Sequence, residues 1–136
     1  MTYLLDVNSL IALGVLEHEF HRRVASWVAG LAQNGVPELA TCSITELGFV
    51  RVLSQAESYR CSVTEAKELL RTLKAGEIAP SAFISDELGV SRLPQWVKHP
   101  KQITDGHLVE LANAHGAQLA TLDERINGAY LIPSNR

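Results

Sequence analysis

The sequence predicts an α/β domain built on a mostly parallel central sheet. Two observations carry this. Short apolar runs of strand length alternate with segments whose apolar residues recur at helical spacing. That alternation is the signature of strands joined through crossover helices, which pack on the faces of the sheet they connect. A chain of 136 residues can bury one sizeable core, and no repeat, low-complexity run or linker divides it, so a single domain over 1–136 is expected.

Each element has its own signal. TYLLD at 2–6 reads as a short buried strand, and NSLIALGVLEH at 8–18 as a helix with apolar positions 10, 11, 13, 15 and 16. A second helix is expected over 20–33, where Val24, Trp27, Val28 and Leu31 form a core stripe and Asn34-Gly35 closes the last turn. PELATC at 37–42 reads as a strand entered through Pro37. SITELGFVRVLSQ at 43–55 is helical, and so is TEAKELLRTLKAG at 64–76, with Thr64 as cap and Gly76 as stop. AFISD at 82–86 is a candidate third strand. Residues 87–102 hold two prolines and read as an irregular loop. A helix over 104–116 capped by Thr104, a strand AQLATL at 117–122 and a last strand AYLIP at 129–133 complete the chain.

Bulk composition excludes several classes. About half the residues are apolar and the charges are interspersed, which describes a globular protein rather than a disordered one. The uncharged stretch from Val7 to Leu16 is too short to span a bilayer, and it follows an acid rather than a basic segment. A cytoplasmic protein with no membrane partner is expected. Cys42 and Cys61 belong to no CxxC pair or Cys/His cluster, which argues against structural zinc, and Cys42 reads as a core filler. The formal net charge of −3 argues against a general nucleic-acid binder.

Four acids share one kind of address. Asp6 ends the first strand, Glu46 and Asp105 lie in the first turns of helices, and Asp123 follows the strand QLATL. In a parallel α/β sheet the strand ends that lead into helices share one edge, and ligands bind there. Singly, each acid reads equally as a helix cap, and Ser43-Ile44-Thr45-Glu46 is a formal S-x-x-E capping box. Together they are harder to explain as caps. Clustered carboxylates raise one another's pKa, and a cation relieves the repulsion. An all-oxygen set favours Mg²⁺, with Mn²⁺ as substitute, over zinc. Such an ion can activate water and stabilise the leaving oxygen of a phosphodiester.

The ordered segments YLLDVNSLIAL, SITELGFVR, QITDGHLVELA and LATLDERI resemble the PIN domain, and within it the VapC-type toxins of bacterial toxin–antitoxin pairs. The resemblance spans essentially the whole chain. It implies a three-layer α/β/α domain whose acidic quartet maps onto Asp6, Glu46, Asp105 and Asp123. It also implies supporting roles for Asn8 and Thr121. The implied activity is Mg²⁺-dependent cleavage of a structured RNA, usually tRNA or rRNA, with 5′-phosphate and 3′-hydroxyl products. A homodimer and a small VapB-like antitoxin are the implied partners.

On this reading the charge objection shrinks, because setting aside the four acids turns the formal charge slightly positive. Arg51, Arg92, Lys98 and Lys101 are candidate RNA contacts, and Trp96 is a candidate base-stacking platform, with plain solvation or packing as the competing account of each. His107 reads as a packing or surface histidine rather than a general base. Two other functions remain open: a PIN-like nuclease of RNA processing, and a binding module that recognises RNA or protein without cutting.

Overall fold

The computed structural model describes residues 1–35 and 38–134. Strand β1 is Thr2–Leu5, followed by α1 at Val7–Gly14 and α2 at His21–Gln33. Strand β2 is Glu38–Cys42, and α3 (Ser43–Gln55) starts at the very next residue. Helix α4 is Val63–Lys74, β3 is Ala82–Ile84, α5 is Ile103–Ala114, β4 is Ala117–Thr121 and β5 is Tyr130–Leu131. Pro37, the expected entrance of the second strand, lies outside the described residues.

The five strands form one all-parallel sheet in the order β3-β2-β1-β4-β5. Alternation along the strands divides the core in two. Leu5, Leu39 and Ala120 point to the face covered by α1, α2, α3 and α4, where they meet Leu10, Val24, Trp27, Phe49, Leu53 and Leu70. Leu4, Ala40 and Leu119 point to the other face, where α5 supplies Leu108, Val109, Leu111 and Ala112. This is the expected three-layer α/β/α arrangement, and it follows from the period-two geometry of strands apolar on both faces. Cys42 is a fully buried core residue, as its apolar surroundings predicted.

Two glycines set how closely the elements around the acids approach. A Cβ on Gly48 of α3 would lie 2.5 Å from Val7 Cγ2, so Gly48 lets α1 and α3 meet just beyond Asp6 and Glu46. A Cβ on Gly106 would lie 2.3 Å from Val97 Cγ2, so Gly106 lets the 87–102 loop seat on the first turn of α5, beside Asp105.

Several boundaries differ from expectation. Helix α1 stops at Gly14 rather than running to 18, because Val15 turns extended and the His18 Nδ1 atom accepts the Phe20 N–H in a local turn. Helix α4 is capped by Ser62 rather than Thr64. Ser62 Oγ accepts the Glu65 N–H at 3.0 Å while the Glu65 carboxylate accepts the Ser62 N–H at 2.8 Å, a reciprocal box that satisfies two backbone donors at the helix start. Among the described residues Thr104 forms no cap, and Gln102 holds the N-cap position of α5 instead. A 3₁₀ turn at Pro100–Gln102 feeds directly into α5, and Gln102 Oε1 accepts the N–H groups of Lys98 and His99. The loop 87–102 is therefore less irregular than expected, with a second 3₁₀ turn at Val90–Arg92. The last strand is only two residues long. The Ser43–Glu46 capping box does not form either, since Thr45 Oγ1 accepts the Cys42 N–H at 2.9 Å in its place.

Candidate metal centre

The charge on Asp6 sits at the tip of β1, where the chain turns from sheet to helix. It is buried, with 7% of its surface exposed. Its Oδ1 accepts the Ser9 N–H at 2.9 Å, so it does cap α1. Its Oδ2 accepts the Thr121 hydroxyl at 2.6 Å, so it does more than cap. Thr121 Oγ1 in turn accepts the Asp123 N–H at 3.0 Å, and one hydroxyl thereby fixes both acids. Burial pushes the Asp6 carboxyl above its ordinary range. The hydrogen bonds from Thr121 and Ser9 work against this, and the Asp123 charge adds to it.

Asp105 lies in the first turn of α5, half-buried. Its carboxyl is also pushed up, first by burial and then by the charges of Asp6 and Asp123, with Arg125 partly offsetting. Asp123 goes the other way. Arg125 grips it as a fork, Nε to Oδ1 at 3.0 Å and Nη2 to Oδ2 at 3.1 Å, and its own N–H adds a third bond at 2.9 Å. These contacts hold Asp123 below the usual carboxylate range.

Glu46 is freed from helix capping by Thr45 and turns to other partners. Its Oε2 accepts the Thr41 hydroxyl at 2.6 Å and the Lys74 ammonium. The fold thus brings Asp6, Asp105 and Asp123 within electrostatic reach of one another, and it pairs Glu46 and Asp123 with cations of the chain itself. Among the described residues, no three His, Cys, Asp or Glu side chains enclose a metal position as they stand.

The donor set nevertheless fits a hard divalent cation. All four side chains offer oxygen. Asp105 is the informative one: it is held partly out of water, against two like charges, with no hydrogen-bond donor among the described residues to support its ionised form. A bound cation would supply that support, and Mg²⁺ characteristically takes only one or two protein carboxylates and keeps its waters.

The remaining sequence candidates fall into place unequally. Asn8 is exposed beside the site, in a groove shared with Asp123 and Arg125. Arg51, Lys98 and Lys101 are exposed. Arg92 is partnered by Glu110 at 3.1 Å. Trp96 is half-buried and packed on the α5 side of the core next to Gly106, so packing accounts for it better than a free stacking platform does. His107 is a packing histidine: its Nε2 is hydrogen-bonded to Asp86 Oδ2, tying α5 to the segment after β3. Sequence reasoning missed Asp86, Lys74 and Arg125. Arg125 stands two residues from an acid already singled out, but Lys74 is 28 residues from Glu46 and only the α3–α4 packing reveals it.

The model of the PIN domain matches residues 3–130 of this chain, and the chain belongs to the PIN-domain family. Within that family it is similar to VapC-type proteins. It is 38% identical to the ribonuclease VapC44 of Mycobacterium tuberculosis over 133 residues, which cover 93% of this chain and 89% of that protein. It is 35% identical to ribonuclease VapC39 of the same organism over 127 residues, covering 90% of this chain and 89% of that one. Its fold matches a chain in the crystal structure of VapBC2 from Rickettsia felis bound to a promoter DNA fragment, with a TM-score of 0.61, 15% identity, and 96% and 97% of the two chains covered.

Proposed function

We propose that the protein is a divalent-metal-dependent endoribonuclease that acts as the toxin of a toxin–antitoxin pair and cuts a structured RNA such as a tRNA or rRNA. The observation that carries this reading is Asp105: a half-buried carboxylate with a raised pKa, beside Asp6 and Asp123, with no hydrogen-bond donor among the described residues. The names of the VapC relatives support the ribonuclease assignment, and the complex in which the structural neighbour was solved agrees with a toxin–antitoxin role.

In this reading Asp6 and Asp105 hold the ion, Mg²⁺ first and Mn²⁺ as substitute, and Glu46 and Asp123 complete the oxygen set. A bound divalent ion supplies an acidified water and positive charge for the phosphate as it reacts. Thr121 keeps Asp6 oriented through its hydroxyl, a bond that favours the ionised form against the effect of burial. His107 is committed to Asp86 and serves as a structural tie, not a base. The apolar groove of about 700 Å³ between α3 and α4, with Leu47, Val63 and Phe83 exposed in it, supports a small antitoxin or a second copy of the chain as partner.

The test is cleavage of total RNA by purified protein with Mg²⁺, with EDTA, and with Asp105→Asn. Discrete cuts that need Mg²⁺, vanish in the variant and leave 5′-phosphate and 3′-hydroxyl ends are expected. Products ending in 2′,3′-cyclic phosphate, or cutting that survives EDTA, would refute the metal mechanism. Tight RNA binding indifferent to EDTA, without cleavage, would favour a binding module.

A further inference from the structure

Lys74 is the last residue of α4, and Glu46 lies in the first turn of α3. Their side chains are about equally sheltered, at 27% and 25% exposed, and Lys74 Nζ lands on Oε2 of Glu46. The same oxygen takes the Thr41 hydroxyl at 2.6 Å. Glu46 is thus a carboxylate whose negative charge is already matched by a cation from the chain. The Lys74 ammonium also lies 5.6 Å from the centre of the Phe83 ring, on the wall of the groove that holds Lys67 and Arg71. From this one position the ammonium already serves the ring face as well as the carboxylate, so it keeps a favourable contact if it gives up Glu46.

We infer that Lys74 is an exchangeable positioning cation: it occupies Glu46 while the site holds no metal and, when a divalent ion draws on Glu46, gives up that carboxylate, keeps the Phe83 ring face and turns to the RNA phosphate. This rests on the metal-nuclease reading above. A dication and an ammonium cannot share one carboxylate without mutual repulsion. Metal and Lys74 therefore compete for Glu46, and each weakens the hold of the other by the same factor. A displaced ammonium remains at the rim of the site, where it meets a phosphate as a mobile point charge with three donors. Asp6 is anchored by the neutral donors of Thr121 and Ser9, and among the described residues Asp105 takes no direct ion pair, only the more distant field of Arg125.

The distinguishing consequence is that metal affinity and catalysis move in opposite directions. Mn²⁺ binding by titration calorimetry and cleavage of total RNA with Mg²⁺ are measured on wild type, Lys74→Met and Lys74→Arg. Lys74→Met is expected to bind Mn²⁺ more tightly by roughly five-fold or more, and to cleave more slowly. Lys74→Arg keeps the charge but grips Glu46 with a planar fork, so it is expected to bind Mn²⁺ more weakly than wild type while retaining cleavage better than Lys74→Met does. In a Glu46→Gln background the effect of Lys74→Met on Mn²⁺ affinity should vanish. A purely structural salt bridge predicts loss of both properties in Lys74→Met, and that result, or unchanged Mn²⁺ affinity, overturns the inference. Should Lys74→Met fail to fold, tighter or equal Mn²⁺ binding by Lys74→Arg overturns it alone. If wild type neither binds Mn²⁺ nor cuts RNA, it is the nuclease reading itself that falls.

Discussion

The Thr121 hydroxyl donates to Asp6 Oδ2 at 2.6 Å, joining two residues 115 positions apart in the chain. It does so because β1 and β4 are adjacent parallel strands, with Leu5 paired to Ala120, so the residues just past that pair stand side by side. The same hydroxyl accepts the Asp123 N–H, and a single side chain orders both acids at this edge.

Removing that hydroxyl should therefore cost more than one surface bond. Thr121→Val leaves a buried carboxylate oxygen of Asp6 without its donor. A loss of about 1–3 kcal/mol in unfolding free energy is expected, checked by urea denaturation at neutral pH. Thr121→Ser keeps the donor and should retain most of the stability.

Gly106 is expected to tolerate no side chain. In Gly106→Ala the new methyl would meet Val97 Cγ2 at 2.3 Å, and the loop seated on α5 must move. Overpacking of this kind costs typically 1–3 kcal/mol, and thermal melts would measure it. Mn²⁺ affinity should fall with it, because Asp105 is the preceding residue. A fully stable variant with wild-type Mn²⁺ affinity would contradict this.

Asp105 should trade stability for function. Its carboxyl is pushed above the ordinary range in the folded protein, so the folded state holds its proton more tightly than the unfolded state does. The cost of the charge is full above the folded pKa and is relieved as pH falls through it toward the unfolded value. Metal-free Asp105→Asn should accordingly melt higher than wild type at neutral pH, and the difference should shrink as pH falls. Cleavage should be abolished in the same variant.

Asp86 behaves with the opposite sign. Burial pushes its carboxyl up, but the bonds from His107 and the Leu88 N–H, with the charges of His107 and His115, bring it net below its ordinary value. Its stabilisation is present above the unfolded carboxylate pKa, near 3.9, and is lost as pH falls through the lower folded value. Asp86→Asn should be less stable than wild type at pH 7, with the gap closing in strong acid. Urea midpoints measured against pH would show it, and a gap that widens on acidification would rule this out.

The sequence by itself determined which elements alternate, which side chains fill the core, and which acids lie where a strand hands over to a helix. Those properties depend on the local spacing of apolar and polar residues, and spacing is fully written in the chain. TYLLD before an apolar helix was enough to single out Asp6, and the strand QLATL was enough to place Asp123 just past its end, whereas Thr121 was singled out only by the family resemblance. Other features were decided by tertiary structure. Whether Glu46 capped its helix or left it depended on Thr45 winning the Cys42 N–H, and on α4 bringing Lys74 across to the freed carboxylate. Whether Trp96 stood free or packed, and whether His107 found Asp86, depended on how closely Gly106 let a loop approach. Such pairings join residues remote in the chain, and only the packing of one helix or loop against another sets their distance.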